Sequence, residues 1–398
     1  MTSGAARVAP RARDLGIVIG SGEPGTFNAI TDVPGVRVGH VTLVSGDGRL
    51  VVGSGPVRTG VTVVVPCEDV SRSPVFAGCH RLNGNGELTG LEWMRESGFL
   101  TSPIAITNTH SVGVVRDALV KAEVRGRPDG EDFWSLPVVG ETSDSTLNDM
   151  NGFHVRAEHA LSALDSAVGG PVPEGNVGGG TGMICHEFKG GIGTASRVVS
   201  ESDGGYVVGV LVQANHGRRE RLTVAGMPVG LEIPASVVPL PGAAPARPSG
   251  TVPPVQRREP GSGSIIAIVA TNAPLLPHQC RRLAQRVGLG VARTGGVGEN
   301  SSGDLFVAFA TGSFGPGWET RPDAVDSRHT AEVLMLSDRF ITALFDAVID
   351  STEEAIVNAL VAAETMTGRD DITAFALPHD RLVNVMQAYS SRSPLADP

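Results

Sequence analysis

A chain of 398 residues with 41% hydrophobic content can bury a substantial core, and 52 glycines and 27 prolines against 4% aromatics mark it as turn-rich and globular rather than disordered. The formal net charge of −10 leaves no electrostatic footprint for DNA or RNA, and Arg218-Arg219 is too short to make a basic patch. No apolar stretch suits a signal peptide or a membrane span, so a cytoplasmic protein that meets neither nucleic acid nor membrane is expected.

In chain order, apolar runs predict strands at 61–66 (VTVVVP), 103–109 (PIAITNT) and 205–217 (GYVVGVLVQANHG), with helices around 112–123 and 152–164. From Pro234 to Gly263 prolines recur every few residues without apolar periodicity, which predicts an exposed, extended loop. That loop divides the chain into residues 1–263 and 264–398. The second part opens with a strand, SIIAIVAT, whose first position is Ser264. A helix follows at 277–288, with Cys280, Leu283, Ala284 and Val287 at helical spacing, then a strand at 302–311. Two helices are expected next, at 330–350 and 351–368, the second opened by a capping box of Ser351 and Glu354; a last helix starts near His379. No repeat of fixed period occurs. Strands this apolar need cover on both faces, so an α/β sandwich with both parts in one domain is the expected class.

The junction at Ser264 could carry chemistry. Were the Gly263–Ser264 bond cut, Ser264 would hold a free α-amine, of ordinary pKa near ~8, beside its own hydroxyl. One residue would then supply nucleophile and base. Gly263 permits the backbone angles that self-cleavage requires. Gly-Ser repeats are also common linker filler, and Gly261-Ser262 offers a second junction two residues upstream, although strand register favours Ser264. Ser302 and Asp304, two apart at a strand entry, project from one face and could orient an amine; Ser-Gly-Asp is equally ordinary turn chemistry. Asn215, at a strand end, could donate to an oxyanion or cap a turn. Glu141, after another strand end, could bind a substrate ammonium or simply be solvated.

Other patterns fail. GNVGGGTG lacks the Lys-Ser/Thr of a phosphate loop, and LNGNGELTG has one residue too many for a dinucleotide fingerprint, so both read as tight backbone packing. Neither Gly-x-Ser-x-Gly nor His-Glu-x-x-His occurs. Cys67, Cys79, Cys185 and Cys280 show no Cys-x-x-Cys and no ligand spacing to a histidine, and read as small buried hydrophobes. His80, His110, His186 and His216 read as structural or pocket-lining. No metal and no organic cofactor is called for.

Taken together, NAITDVPGVRVGHVTL, LNGNGELTG, PIAITNTHSVGVVRDA, GNVGGGTGMICHEFKGGIGTASRVV, VGVLVQANHGRRERL, GSGSIIAIVATNAPLLPHQ, SSGDLFVAFATG and AAETMTGRD strongly resemble the DmpA and β-aminopeptidase family of N-terminal nucleophile hydrolases. The matches run in order over nearly the whole chain. The resemblance implies a four-layer αββα sandwich, also the fold of ornithine acetyltransferases, made as a precursor that cuts itself before a serine. It implies a homotetramer of the resulting α and β chains, and removal of N-terminal residues (L-amino acid, D-alanyl or β-amino acid) from small peptides, amides or esters. By the same resemblance Ser264 is the nucleophile, Ser302 and Asp304 its partners, Asn215 the oxyanion donor and Glu141 the amine binder, with Trp134 lining the substrate pocket. Two departures stand out. Aminopeptidase members carry a tyrosine two residues after the amine-binding glutamate where this chain has Ser143, and Asp304 is one methylene shorter than a glutamate. A non-catalytic member of the fold, or an acyltransferase, is the alternative; the latter use threonine as nucleophile.

Overall fold

The structure, a computed structural model, describes residues 9–242, 261–314 and 330–391. The first part of the chain folds into β1 (Arg37–Ser45), β2 (Val57–Val65), β3 (Val75–Gly84), α1 (Leu91–Ser97), β4 (Phe99–Leu100), β5 (Ile104–Thr107), α2 (Val112–Arg125), β6 (Val138–Glu141), α3 (Ala157–Asp165), β7 (Ile184–Cys185), β8 (Phe188–Lys189), β9 (Gly191–Val198), β10 (Val207–Gly217) and α4 (Val229–Glu232). After the linker come β11 (Gly261–Thr271), α5 (Pro277–Arg293), β12 (Gly303–Ala310), α6 (Ile341–Ala362), β13 (Met366–Thr367), β14 (Thr373–Ala374) and α7 (His379–Ser390).

Two sheets carry the architecture, one in the order β1-β2-β5-β6 and one in the order β4-β3-β12-β11-β10-β9. Side chains that alternate along each strand sort into layers. In β11, Ile265, Ala267 and Val269 pack against α5 and α6, while Ile266, Ile268 and Ala270 meet the other sheet. In β2, Val61, Val63 and Val65 pack under α2 and α3, and Val64 faces inward. The result is the expected αββα sandwich. Gly193 on β9 lets α6 lie directly on the sheet, since a Cβ there would fall 1.9 Å from the Ala355 carbonyl oxygen.

Three expectations need correction. The helices expected at 330–350 and 351–368 are one helix, α6, and residues 330–337 are not helical. Ser351 caps nothing: it is buried in mid-helix, and Glu354 turns instead to Arg13, Arg197 and Asn28. The polar Ser-Thr-Glu-Glu run looked like a boundary because these side chains serve the interior rather than solvent. The helix expected at 152–164 starts only at Ala157, because Phe153 takes a left-handed backbone (φ +53°) after a 3-10 turn. Finally, β11 begins at Gly261, so Ser264 is not its first residue. The linker stretch 243–260 lies outside the described residues.

Candidate active site

β11 and β12 run parallel at the centre of the six-stranded sheet, and their register sets Ser264 opposite Gly303 on one side and Asn215 of antiparallel β10 on the other. Immediately before Ser264 the ladder breaks. Asn215 pairs with Ser264 but Gly217 pairs with Gly261, so Ser262 and Gly263 bulge opposite His216 alone. A bulge frees a peptide unit from the ladder. Gly263 there has φ +157°, which glycine adopts without a Cβ penalty.

Ser264 is buried, 7% exposed, and its Oγ accepts the Gly303 N–H at 3.1 Å. Next to it, Ser302 Oγ donates to Asp304 Oδ1 at 2.6 Å, and Asp304 also accepts the Ile265 backbone N–H. Burial raises the Asp304 carboxyl to about 6, with the nearby Glu299 charge adding to the rise and these two hydrogen bonds opposing it. Asn215 is held from both ends, its Oδ1 accepting Ile184 N–H at 2.9 Å and its Nδ2 donating to the Ser143 carbonyl at 3.0 Å. The Ser143 hydroxyl is turned elsewhere, to Ser145 Oγ at 3.0 Å.

Glu141, at the end of β6 in the other sheet, is buried and reaches the same place. Its Oε1 accepts Glu87 N–H at 3.0 Å and its Oε2 the Thr109 hydroxyl. Burial pushes this carboxyl up, against those hydrogen bonds. The connection to Ser264 runs through two glycines: a Cβ on Gly86 would sit 3.2 Å from Glu141 Oε1 and 3.1 Å from the Cα of Gly303. The loop LNGNGELTG thus packs its backbone against the strand beside Ser264, as its composition suggested, and Gly178–Gly180 are likewise hemmed in by strands and side chains.

From Gly86 a pocket of about 430 Å³ extends past Leu88 and Leu305 to Trp93 and Leu136. Trp134, 63% exposed, stands edge-on to Trp93 with ring centroids 5.6 Å apart. The fold therefore gathers Ser264, Ser302, Asp304, Asn215 and Glu141, and leaves Trp134 outermost. Sequence reasoning missed Thr109, Trp93 and Gly303. Thr109 sits in the motif PIAITNTHSVGVVRDA, but nothing local says that its hydroxyl meets a glutamate on another strand. It also missed that Cys185, His186 and His216 come together, because β10 and the β7 turn meet only in the fold. None of the four cysteines is in a disulfide.

Comparison with known proteins bears on this arrangement. The model for peptidase family S58 matches residues 28–374. A β-peptidyl aminopeptidase, BapA, of Sphingosinicella microcystinivorans is 49% identical over 385 residues, 96% of this chain and 92% of that protein. Among solved structures, a β-aminopeptidase of Burkholderia sp. superposes with TM-score 0.82 at 51% identity over 95% of this chain and 99% of that one. The L-aminopeptidase D-Ala-esterase/amidase of Ochrobactrum anthropi, described as a prototype serine aminopeptidase and a variant of the N-terminal nucleophile hydrolase fold, gives 0.81 at 42% identity over 96% and 99%.

Proposed function

The chain belongs to peptidase family S58 and is an aminopeptidase with the N-terminal nucleophile hydrolase fold, and from that premise we propose that Ser264, freed by cleavage of the Gly263–Ser264 bond, is its nucleophile. The observation that carries this is that the two strands flanking β11 bring groups to Ser264: β12 the Gly303 N–H, with the Ser302–Asp304 pair on either side of Gly303, and β10 the register partner Asn215. The bulge at Ser262-Gly263 supports the choice of bond, because Gly263 has no register partner on β10 where the ladder shifts.

In the self-cleavage step, Ser264 Oγ attacks the Gly263 carbonyl carbon, the hydroxyl proton passes to the departing Ser264 nitrogen, and the resulting ester is hydrolysed by water. In turnover the α-amine takes the Ser264 hydroxyl proton as Oγ attacks the substrate carbonyl. Asn215 Nδ2 donates to the oxyanion. Ser302 and Asp304 hold the amine, whose ammonium form then protonates the leaving nitrogen, and water releases the acyl group. Glu141 pairs with the substrate ammonium at the far side of Gly86. Gly90, Trp93 and Leu136 face the substrate side chain, and Trp134 does not line that pocket but stands edge-on against Trp93 behind it.

The substrate class we assign is small peptides, amides or esters with an N-terminal β-amino acid, in line with the names of two similar proteins; L-amino acid or D-alanyl amides are the second reading, after the third. Assembly into a homotetramer of processed pairs, in the cytoplasm, belongs to the same proposal. No described helix is long and apolar enough to cross a membrane.

Intact mass and N-terminal sequencing test the central claim. The wild type is expected as two chains, the second beginning Ser-Ile-Ile-Ala, and Ser264→Ala as one. Full-length chain in both after prolonged incubation would overturn it. A β-amino acid amide panel, with and without an acceptor amine, separates hydrolysis from acyl transfer.

A further inference from the structure

The end of β10 and the turn opened by β7 are tied together. Ile184 N–H donates to Asn215 Oδ1 at 2.9 Å, and His186 N–H to the His216 carbonyl at 2.6 Å. In the space between them, Cys185 Sγ and a ring nitrogen from each of His186 and His216 lie within 4.8 Å of one another. All three residues are at most 3% exposed. Cys185 Sγ is 3.9 Å from His216 Nδ1, and the two imidazoles stand edge to face with centroids 5.2 Å apart.

The tautomer of His186 follows from its other contact. Its Nδ1 lies 3.0 Å from the Arg218 carbonyl oxygen, which can only accept, so Nδ1 carries the proton and Nε2 keeps a lone pair. That Nε2 is fully buried with no hydrogen-bond partner among the described residues. A buried acceptor left without a donor is unfavourable unless something else occupies its lone pair. A ligating histidine is commonly built this way, one nitrogen donating to a backbone carbonyl so that the other points at an ion.

We infer that Cys185, His186 and His216 form a binding site for a borderline-soft transition-metal ion, best matched by Zn²⁺. One thiolate and two imidazoles are a zinc-type donor set with a fourth position left over. Donors around tetrahedral zinc stand roughly 3.3–3.8 Å apart, so closing the site takes side-chain movements of about 1 Å. On binding, the Cys185 S–H bond breaks, the S–Zn bond forms and the proton leaves to solvent. His216 projects from the face of β10 opposite to Asn215, so the ion does not meet substrate. It staples the β7 turn to the strand end from behind. The site holds whether or not Ser264 is the nucleophile.

The test uses tag-free full-length protein, stripped with a chelator, dialysed and titrated with Zn²⁺ in a calorimeter. One zinc per chain is expected, bound at least tenfold more weakly by Cys185→Ser and unchanged in Cys280→Ser. X-ray absorption at the zinc edge of the parent is expected to show one sulfur and two imidazole nitrogens. No uptake, a first shell without sulfur, or undiminished binding by Cys185→Ser would each overturn the site. The parent's edge spectrum decides alone if Cys185→Ser fails to fold.

Discussion

Ser264 and Gly303 are register partners on parallel strands, and the Gly303 N–H donates to Ser264 Oγ at 3.1 Å. Gly303 has no room for more than hydrogen: a Cβ would stand 2.5 Å from the Asn85 carbonyl oxygen and 2.7 Å from the Cα of Gly86. Gly303→Ala is therefore expected to push away the glycine loop that backs Glu141, at an overpacking cost of roughly 1–3 kcal/mol. Steady-state kinetics should show at least a tenfold loss of kcat/KM in protein whose circular dichroism is native.

Asn215 holds its neighbours as well as facing the site. If Asn215 is the oxyanion donor as proposed, Asn215→Ala removes it, and loss of such a donor lowers kcat by about 10²–10³-fold in other hydrolases. It also strands the buried Ile184 N–H, at about 1–3 kcal/mol. The expected outcome is a loss in kcat with little change in KM, together with a lower denaturant midpoint; an unchanged kcat would remove Asn215 from the mechanism.

Asp304 sets a pH dependence. Its carboxyl is raised from 3.8 to about 6 by burial, so the folded chain binds more protons than the unfolded one between those values. Its contribution to stability is therefore full below about 4 and is lost as pH rises through about 6. Asp304→Asn should flatten the denaturant midpoint against pH across that window, measured in the uncut Ser264→Ala chain. If Asp304 holds the α-amine as proposed, it must be ionised to do so, and kcat/KM should fall on the acid side. An ammonium beside that carboxyl would lower the midpoint of the limb, and Asp304→Asn should abolish it.

Glu354 anchors α6 to the N-terminal segment through Arg13 and Asn28 and to β9 through Arg197. Its side chain is fully buried, with Arg197 at 1% exposure and Arg13 at 27%. Burial alone would raise its carboxyl, but the hydrogen bond from Arg13, the Arg197 charge and the Asn28 amide hold it below the usual range. That stabilisation is present above about pH 4.5 and is lost as pH falls through the lowered value. Glu354→Ala leaves Arg197 buried without its counter-charge and should cost roughly 3–5 kcal/mol, read as a shift in denaturant midpoint.

The layers were legible because β2, β5, β10, β11 and β12 are nearly continuous apolar runs, which only a two-sided core explains. α6 was misdivided for the opposite reason. Its polar run at Ser351–Glu354 is fully buried, with Glu354 in ion pairs to distant arginines, and no local pattern announces partners at positions 13 and 197. The site divides along the same line. Ser302 and Asp304 could be paired from sequence because they share a strand face, whereas Glu141 meets Thr109 and Gly86 only through the packing of one sheet on the other. Asn215 opposite Ser264 depends on a strand register that no turn sequence specifies.

β11 and β12 lie in the interior of the six-stranded sheet, with β10 and β9 beyond one side and β3 and β4 beyond the other. A cut before Ser264, as proposed, leaves two pieces that own alternate portions of one ladder, and the two hydrophobic clusters on the faces of that sheet draw on both pieces. The precursor can reach its shape by a unimolecular search. An enzyme cut in this way, once unravelled, would have to find its other half by collision, so its recovery would be concentration-dependent and its working lifetime governed by how slowly it opens rather than by an equilibrium it can revisit.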